Sequence, residues 1–110
     1  MSTKTAAITA VGAYVPDFIL SNQVLETMVD TNDEWITSRT GIKERRVLKG
    51  DGLGTSYLAI KAAQDLIKKS NLDPKEIDLV IVASTTPDMQ VAATAVYVAT
   101  QIGAVNAFAY

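Results

Sequence analysis

The chain has 110 residues, 48% of them hydrophobic and 20% charged, with a formal net charge of -2. That length allows at most one modest hydrophobic core, and the slight negative charge excludes binding to a phosphate polymer by counterion release. Neither Cys nor His occurs, which excludes disulfides, zinc sites of the usual ligand types, and Ser-His or Cys-His catalysis within these residues.

The first segment, Thr5 to Tyr14, is rich in small apolar residues and reads as a buried strand, broken by Pro16 and Asp17. Its short apolar stretch lacks the long continuous core and the cleavage site of a signal peptide, so the expected compartment is cytoplasmic. No apolar run is long enough to span a bilayer, and no membrane partner is expected. Ser21 and Asn22 are N-cap residues for a short helix carrying Leu25, Met28 and Val29. Thr31 with Glu34 forms a capping box, which predicts a helix from Asn32 to Arg39 that Gly41 stops in the left-handed conformation. Trp35 and Arg39, four apart, then share one face.

Lys43 to Gly54 reads as a charged, glycine-rich surface loop. Thr55 to Lys69 is the strongest helix, with Leu58, Ala59, Ala62, Ala63, Leu66 and Ile67 forming an apolar stripe, Lys68 and Lys69 at its end, and Asn71 as terminator. Asp73-Pro74 with Glu76 predicts a single capped turn. Leu79 to Ser84 is apolar on both faces, as a central strand of a parallel sheet is. Thr85-Thr86-Pro87-Asp88 follows at the strand's C-terminal end, where it is either a structural turn or a ligand-facing loop. Ala95, Val98, Ala99 and Ile102 define a further buried helical face closed by Gly103, and Val105 to Tyr110 begins another apolar strand. The order of strands and helices predicts an α/β fold with parallel pairing. Because the sequence stops inside an apolar strand, the remainder of a longer polypeptide is expected to complete it.

Chemistry concentrates between Met28 and Lys49. Arg39, Lys43, Arg45, Arg46 and Lys49 crowd together against the single acid Glu44, just after the only Trp. An indole can stack on a base while guanidinium groups meet phosphates, which suits a nucleotide-bearing ligand. Alternatively, Trp35 plugs the core and the basic run is a solvated loop. Asp30, Asp33 and Glu34 could form a carboxylate site, but two of them are better explained as helix N-terminal acids favoured by the dipole than as a metal or catalytic site.

The string Asp30 to Arg46, DTNDEWITSRTGIKERR, resembles the N-terminal signature of the β-ketoacyl-acyl carrier protein synthase III family. Gly12 and Pro16, Leu72-Asp73-Pro74, Ile77 to Val82 and Thr85 to Asp88 also fall where that family has them, so the resemblance runs from about Thr5 to Tyr110. It implies the N-terminal part of the first half of a thiolase-like αβαβα fold, usually a homodimer. The implied reaction is a decarboxylating Claisen condensation of acyl-CoA, typically acetyl-CoA, with malonyl-acyl carrier protein, which initiates fatty-acid synthesis. Thr31, Trp35, Arg39 and Thr40 match the family's CoA-site positions, the indole stacking against adenine. Acyl-CoA is then a substrate, with no permanently bound cofactor and no metal.

The family's nucleophilic cysteine would fall shortly beyond Tyr110, with its His and Asn partners further on. No catalytic residue is therefore expected in this chain, which should be inactive alone. Val91-Ala92 stands where relatives commonly have a bulky residue and a proline. In the family that segment lines the acyl pocket across the dimer, which makes Val91 a candidate for acyl selectivity. Two other readings remain open at this level: a non-catalytic CoA- or carrier-protein-binding module, and a secondary-metabolite ketosynthase of the same fold.

Overall fold

The computed structural model describes residues 3–91 and 93–110. The chain divides into two compact units. One consists of Val15–Leu53; the other combines the N-terminal segment up to Tyr14 with Gly54–Tyr110.

In the Val15–Leu53 unit, β1 (Ile19–Ser21) runs into α1 (Asn22–Glu26), α2 (Asp33–Thr40) follows, and β2 (Glu44–Arg46) returns. β1 and β2 pair antiparallel, with Ile19 opposite Arg46 and Ser21 opposite Glu44. Ser21 caps α1 as expected, its hydroxyl accepting from the Val24 N–H at 3.3 Å, but the helix ends before Met28 and Val29, which are exposed. The cap of α2 is Asn32, not Thr31: the Asn32 side chain accepts from the Trp35 N–H at 2.8 Å. Asn and Thr are both good caps, and one residue of register decides which oxygen reaches an orphan N–H. Gly41 ends α2 at φ 72°, as the sequence predicts.

The Lys43–Gly54 segment is not wholly a loop, because β2 lies within it. Its charged residues hide the strand from a hydrophobicity pattern, and their side chains are held locally. Arg46 donates to the Pro16 and Asp17 carbonyls, and the Lys49 ammonium sits 3.5 Å from the Phe18 ring centroid.

The other unit is built on α3 (Thr55–Ser70) packed against α4 (Thr94–Ile102). Ala95, Val98 and Ala99 of α4, with Ala104 just beyond it, form the buried core. Asn71 (φ 53°) and Gly103 (φ 82°) terminate the two helices in the left-handed region. Asp73 caps the 3₁₀ turn Pro74–Glu76 through the Lys75 N–H, again as predicted.

The parallel pair is present as β3 (Leu79–Val80) and β4 (Phe108–Ala109), in the register Leu79–Phe108 and Val80–Ala109. The Val82 N–H to Tyr110 carbonyl bond at 2.9 Å extends the pairing. Within these residues only one face of the strand is covered. α4 packs against the strands and leaves Val80 and Val82 half-buried, while Leu79 and Ile81 alternate outward to solvent.

Thr5 to Tyr14 is corrected: it is extended and mostly exposed, but it has no ladder partner among the described residues, so it forms no strand. It lies on α3 instead, where the Ala13 N–H donates to Asp65 Oδ2 at 3.0 Å. Gly12 approaches α3 so closely that a Cβ there would stand 2.6 Å from Leu66 Cβ.

Among the described residues, no helix is long and apolar enough to cross a membrane.

Candidate functional site

In the Val15–Leu53 unit, Asp30, Thr31, Asn32 and Trp35 line a concavity of about 260 Å³. Trp35 is 53% exposed, so it does not plug the core. Ile36, the next residue, takes that role at 7% exposure. A helix turns about 100° per residue, so neighbours on α2 face different ways. Within these residues the core-plug position belongs to Ile36, and the Trp35 indole is open to solvent.

Arg39 lies over the indole with its guanidinium carbon 4.8 Å from the ring centroid, as the four-residue spacing predicts. Stacking orders the guanidinium while leaving its N–H groups available to an anion. The indole, the Thr31 hydroxyl and Arg39 can thus offer an aromatic face, a hydroxyl and a cation to one ligand.

Thr40 sits at the other end of α2. Its exposed hydroxyl donates to the Ile36 carbonyl at 2.7 Å and accepts from the Ile42 N–H at 3.1 Å, so it closes the helix C-terminus. Val91 belongs to the other unit. It is 99% exposed and lines a second concavity of about 270 Å³ with Ser84, Gln90, Thr94 and Tyr110. Ala92, paired with Val91 in the sequence argument, lies outside the described residues.

The basic run is largely structural. Besides Arg46 and Lys49, Arg45 turns inward and donates from Nη2 to Asn22 Oδ1 at 2.6 Å. Asn22 is fully buried, and its Nδ2 donates to Asp33 Oδ1 at 2.6 Å and to the Ile42 carbonyl at 2.8 Å. The hydrogen bond from the Asn22 amide, with one from Thr37, holds the Asp33 carboxyl below its ordinary value of 3.8, assisted by nearby Lys43. Asp33 and Glu34 occupy the first turn of α2, as expected of acids at a helix N-terminus.

The polar network around Asn22 was missed in the sequence, where Asn22 registers only as a cap candidate. The one available signal was an Asn, an Asp and an Arg spaced through a short motif-rich stretch. Among the described residues, no group of three or more carboxylates converges as a metal site.

The Thr85–Asp88 turn is assigned to structure. Gly54 offers α3 no side-chain cap, and Asp88 replaces it from a distance, accepting from the Ser56 N–H at 2.9 Å. Thr55 donates to the Thr86 carbonyl at 2.6 Å.

No protein-family model matches the chain. Among solved structures, the fold is similar to β-ketoacyl-[acyl carrier protein] synthase III from Thermus thermophilus. The TM-score is 0.85 at 47% identity, over 96% of this chain and 32% of that one. It is also similar to the priming β-ketosynthase of a polyketide biosynthetic pathway, with TM-score 0.84 and 34% identity, over 90% of this chain and 29% of that one. These neighbours define the class: a mixed α/β portion of a thiolase-fold condensing enzyme. In sequence, the chain is 54% identical over all 110 residues to β-ketoacyl-[acyl-carrier-protein] synthase III 2 of Bacteroides thetaiotaomicron, spanning 33% of that protein. Over its whole length the chain is similar to part of the β-ketoacyl-[acyl-carrier-protein] synthase III proteins, and it spans about a third of the length of the curated relatives it matches.

Proposed function

We propose that these residues form the nucleotide-contacting edge of an acyl-CoA site in a β-ketoacyl-acyl carrier protein synthase III. The observation that carries this reading is the exposed Trp35 indole, stacked with Arg39 beside the concavity that Thr31 lines. The indole would stack on adenine and Arg39 would meet phosphate, with Thr31 and Thr40 as neighbouring polar contacts. Val91 would line the acyl pocket, and its small side chain would admit a different primer from that taken by relatives with a bulkier residue there.

The complete protein would join acyl-CoA, typically acetyl-CoA, to malonyl-acyl carrier protein with loss of carbon dioxide. It would work as a cytoplasmic homodimer without a permanently bound cofactor. The 110 residues contain no Cys and no His, so the thiolate and imidazole of that chemistry must come from elsewhere in the polypeptide. What this chain contributes is binding energy from the remote, non-reacting end of CoA. The similarity to a polyketide priming ketosynthase supports a second reading, in which the same site serves secondary metabolism.

The test is to incubate the full-length protein with radiolabelled acetyl-CoA and malonyl-acyl carrier protein, with the 110-residue chain in parallel. Condensed product is expected from the former only. Acyl-enzyme formation by the short chain, or no condensation by the full-length protein with any short acyl-CoA, would overturn the reading.

A further inference from the structure

We propose that Asn22 is a positioning residue for the ligand face of α2, fixing the helix's rotation so that Trp35 and Arg39 point outward together. This rests on the reading of Trp35 as a CoA contact. Asn22 is fully buried, yet every polar group of its side chain is engaged. Nδ2 donates to Asp33 Oδ1 (2.6 Å), to the Ile42 carbonyl (2.8 Å) and more weakly to Thr37 Oγ1 (3.4 Å), while Oδ1 accepts from Arg45 Nη2 (2.6 Å). Its own N–H donates to the Lys43 carbonyl at 3.1 Å. One side chain therefore holds the first residue of α2, a residue one turn later, the chain just past Gly41, and Arg45 of β2.

The grip has a direction. Asp33 and Thr37 are four apart and lie on one stripe of α2, and they are themselves hydrogen-bonded at 3.1 Å. Trp35 and Arg39 lie two residues further along, about 200° around the helix. Asn22 thus holds α2 from the side opposite the indole and guanidinium. An apolar side chain could fill the same volume, but it would offer no directional bond to a chosen point on the helix. Directional bonds to two points on one stripe set the rotation, and a slip of one residue would swing Trp35 by about 100°.

The experiment uses the full-length protein carrying Asn22→Leu, Asp33→Ala, or the exchange pair Asn22→Asp with Asp33→Asn. Trp35→Phe supplies the fluorescence background. Two readouts are taken: acrylamide quenching of Trp35 emission, and KM against kcat for acetyl-CoA. Asn22→Leu and Asp33→Ala should shift the quenching constant. They should also raise KM on the order of tenfold, more than they lower kcat, as expected when a binding group is misplaced. The exchange pair, which restores the bond between positions 22 and 33 with donor and acceptor reversed, should recover part of both. Asp88→Ala, a cap lesion in the other unit, should leave Trp35 quenching unchanged, which separates positioning from general destabilisation. If Asn22→Leu does not fold, Asp33→Ala decides. Unchanged quenching and KM in folded Asp33→Ala would overturn the proposal. Altered quenching in these variants, with KM insensitive even to Trp35→Ala, would uphold the positioning role and reject the CoA reading.

Discussion

Replacing Trp35 with Ala in the full-length protein tests the ligand face most directly. The indole is 53% exposed, so its removal takes little from the core, which in that unit centres on Ile36. What is lost is a stacking surface and the support beneath Arg39. Stacking of a base on an aromatic side chain contributes about 1–3 kcal/mol, a factor of about 5 to 150 in affinity. The Arg39–Trp35 contact at 4.8 Å adds about 0.5–1 kcal/mol at an exposed site, and without it the guanidinium loses its fixed direction. The assay is calorimetric titration with CoA, together with KM and kcat for acetyl-CoA. KM should rise within that range, and kcat should fall less, because the indole is remote from the reacting carbon. Arg39→Ala should weaken binding less at high salt than at low salt, as screening of a phosphate contact requires. Unchanged CoA affinity in folded Trp35→Ala protein would refute the reasoning.

Three further outcomes follow from the geometry. Gly12→Val should destabilise the protein by about 1–3 kcal/mol, since a Cβ would stand 2.6 Å from Leu66 Cβ and meet the α3 backbone; urea denaturation measures this. Asp88→Ala should cost about 1 kcal/mol by leaving the Ser56 N–H of α3 without its acceptor, with Asp88→Asn recovering part of the loss. The Asp33 carboxyl is held below its ordinary value of 3.8, first by the Asn22 amide and then by Thr37. Its contribution to stability is therefore complete above that value and is lost as pH falls through the lowered one. An acid titration of Trp35 fluorescence should show a transition below the ordinary carboxylate range, and Asp33→Asn should remove it.

The legible parts of the sequence were those decided within a few residues. Ser21 and Asp73 cap because a side-chain oxygen reaches an N–H two or three residues on. Gly41, Asn71 and Gly103 stop helices because they tolerate positive φ. The Trp35–Arg39 pair follows from helical period alone. The resemblance to β-ketoacyl-[acyl-carrier-protein] synthase III was legible for the same reason, being read from the contiguous string Asp30 to Arg46, and the chain is similar to such proteins over its whole length.

Tertiary structure decided whatever depends on a partner distant in the chain. β2 was hidden because its charged residues form a strand only once β1 pairs with it, and Thr5 to Tyr14 failed as a strand for want of a ladder partner among the described residues. Asp88 was legible only as part of a turn that could be structural or ligand-facing, and its role as the cap of α3 spans more than thirty residues. Asn22, read as a cap, became the buried hub, because four polar groups scattered along the sequence converge on one amide. Composition gives a residue's chemistry and local spacing gives its helix face. Only the folded chain fixes which groups lose water together, and it left the Trp35 indole facing out and the Asn22 amide facing in.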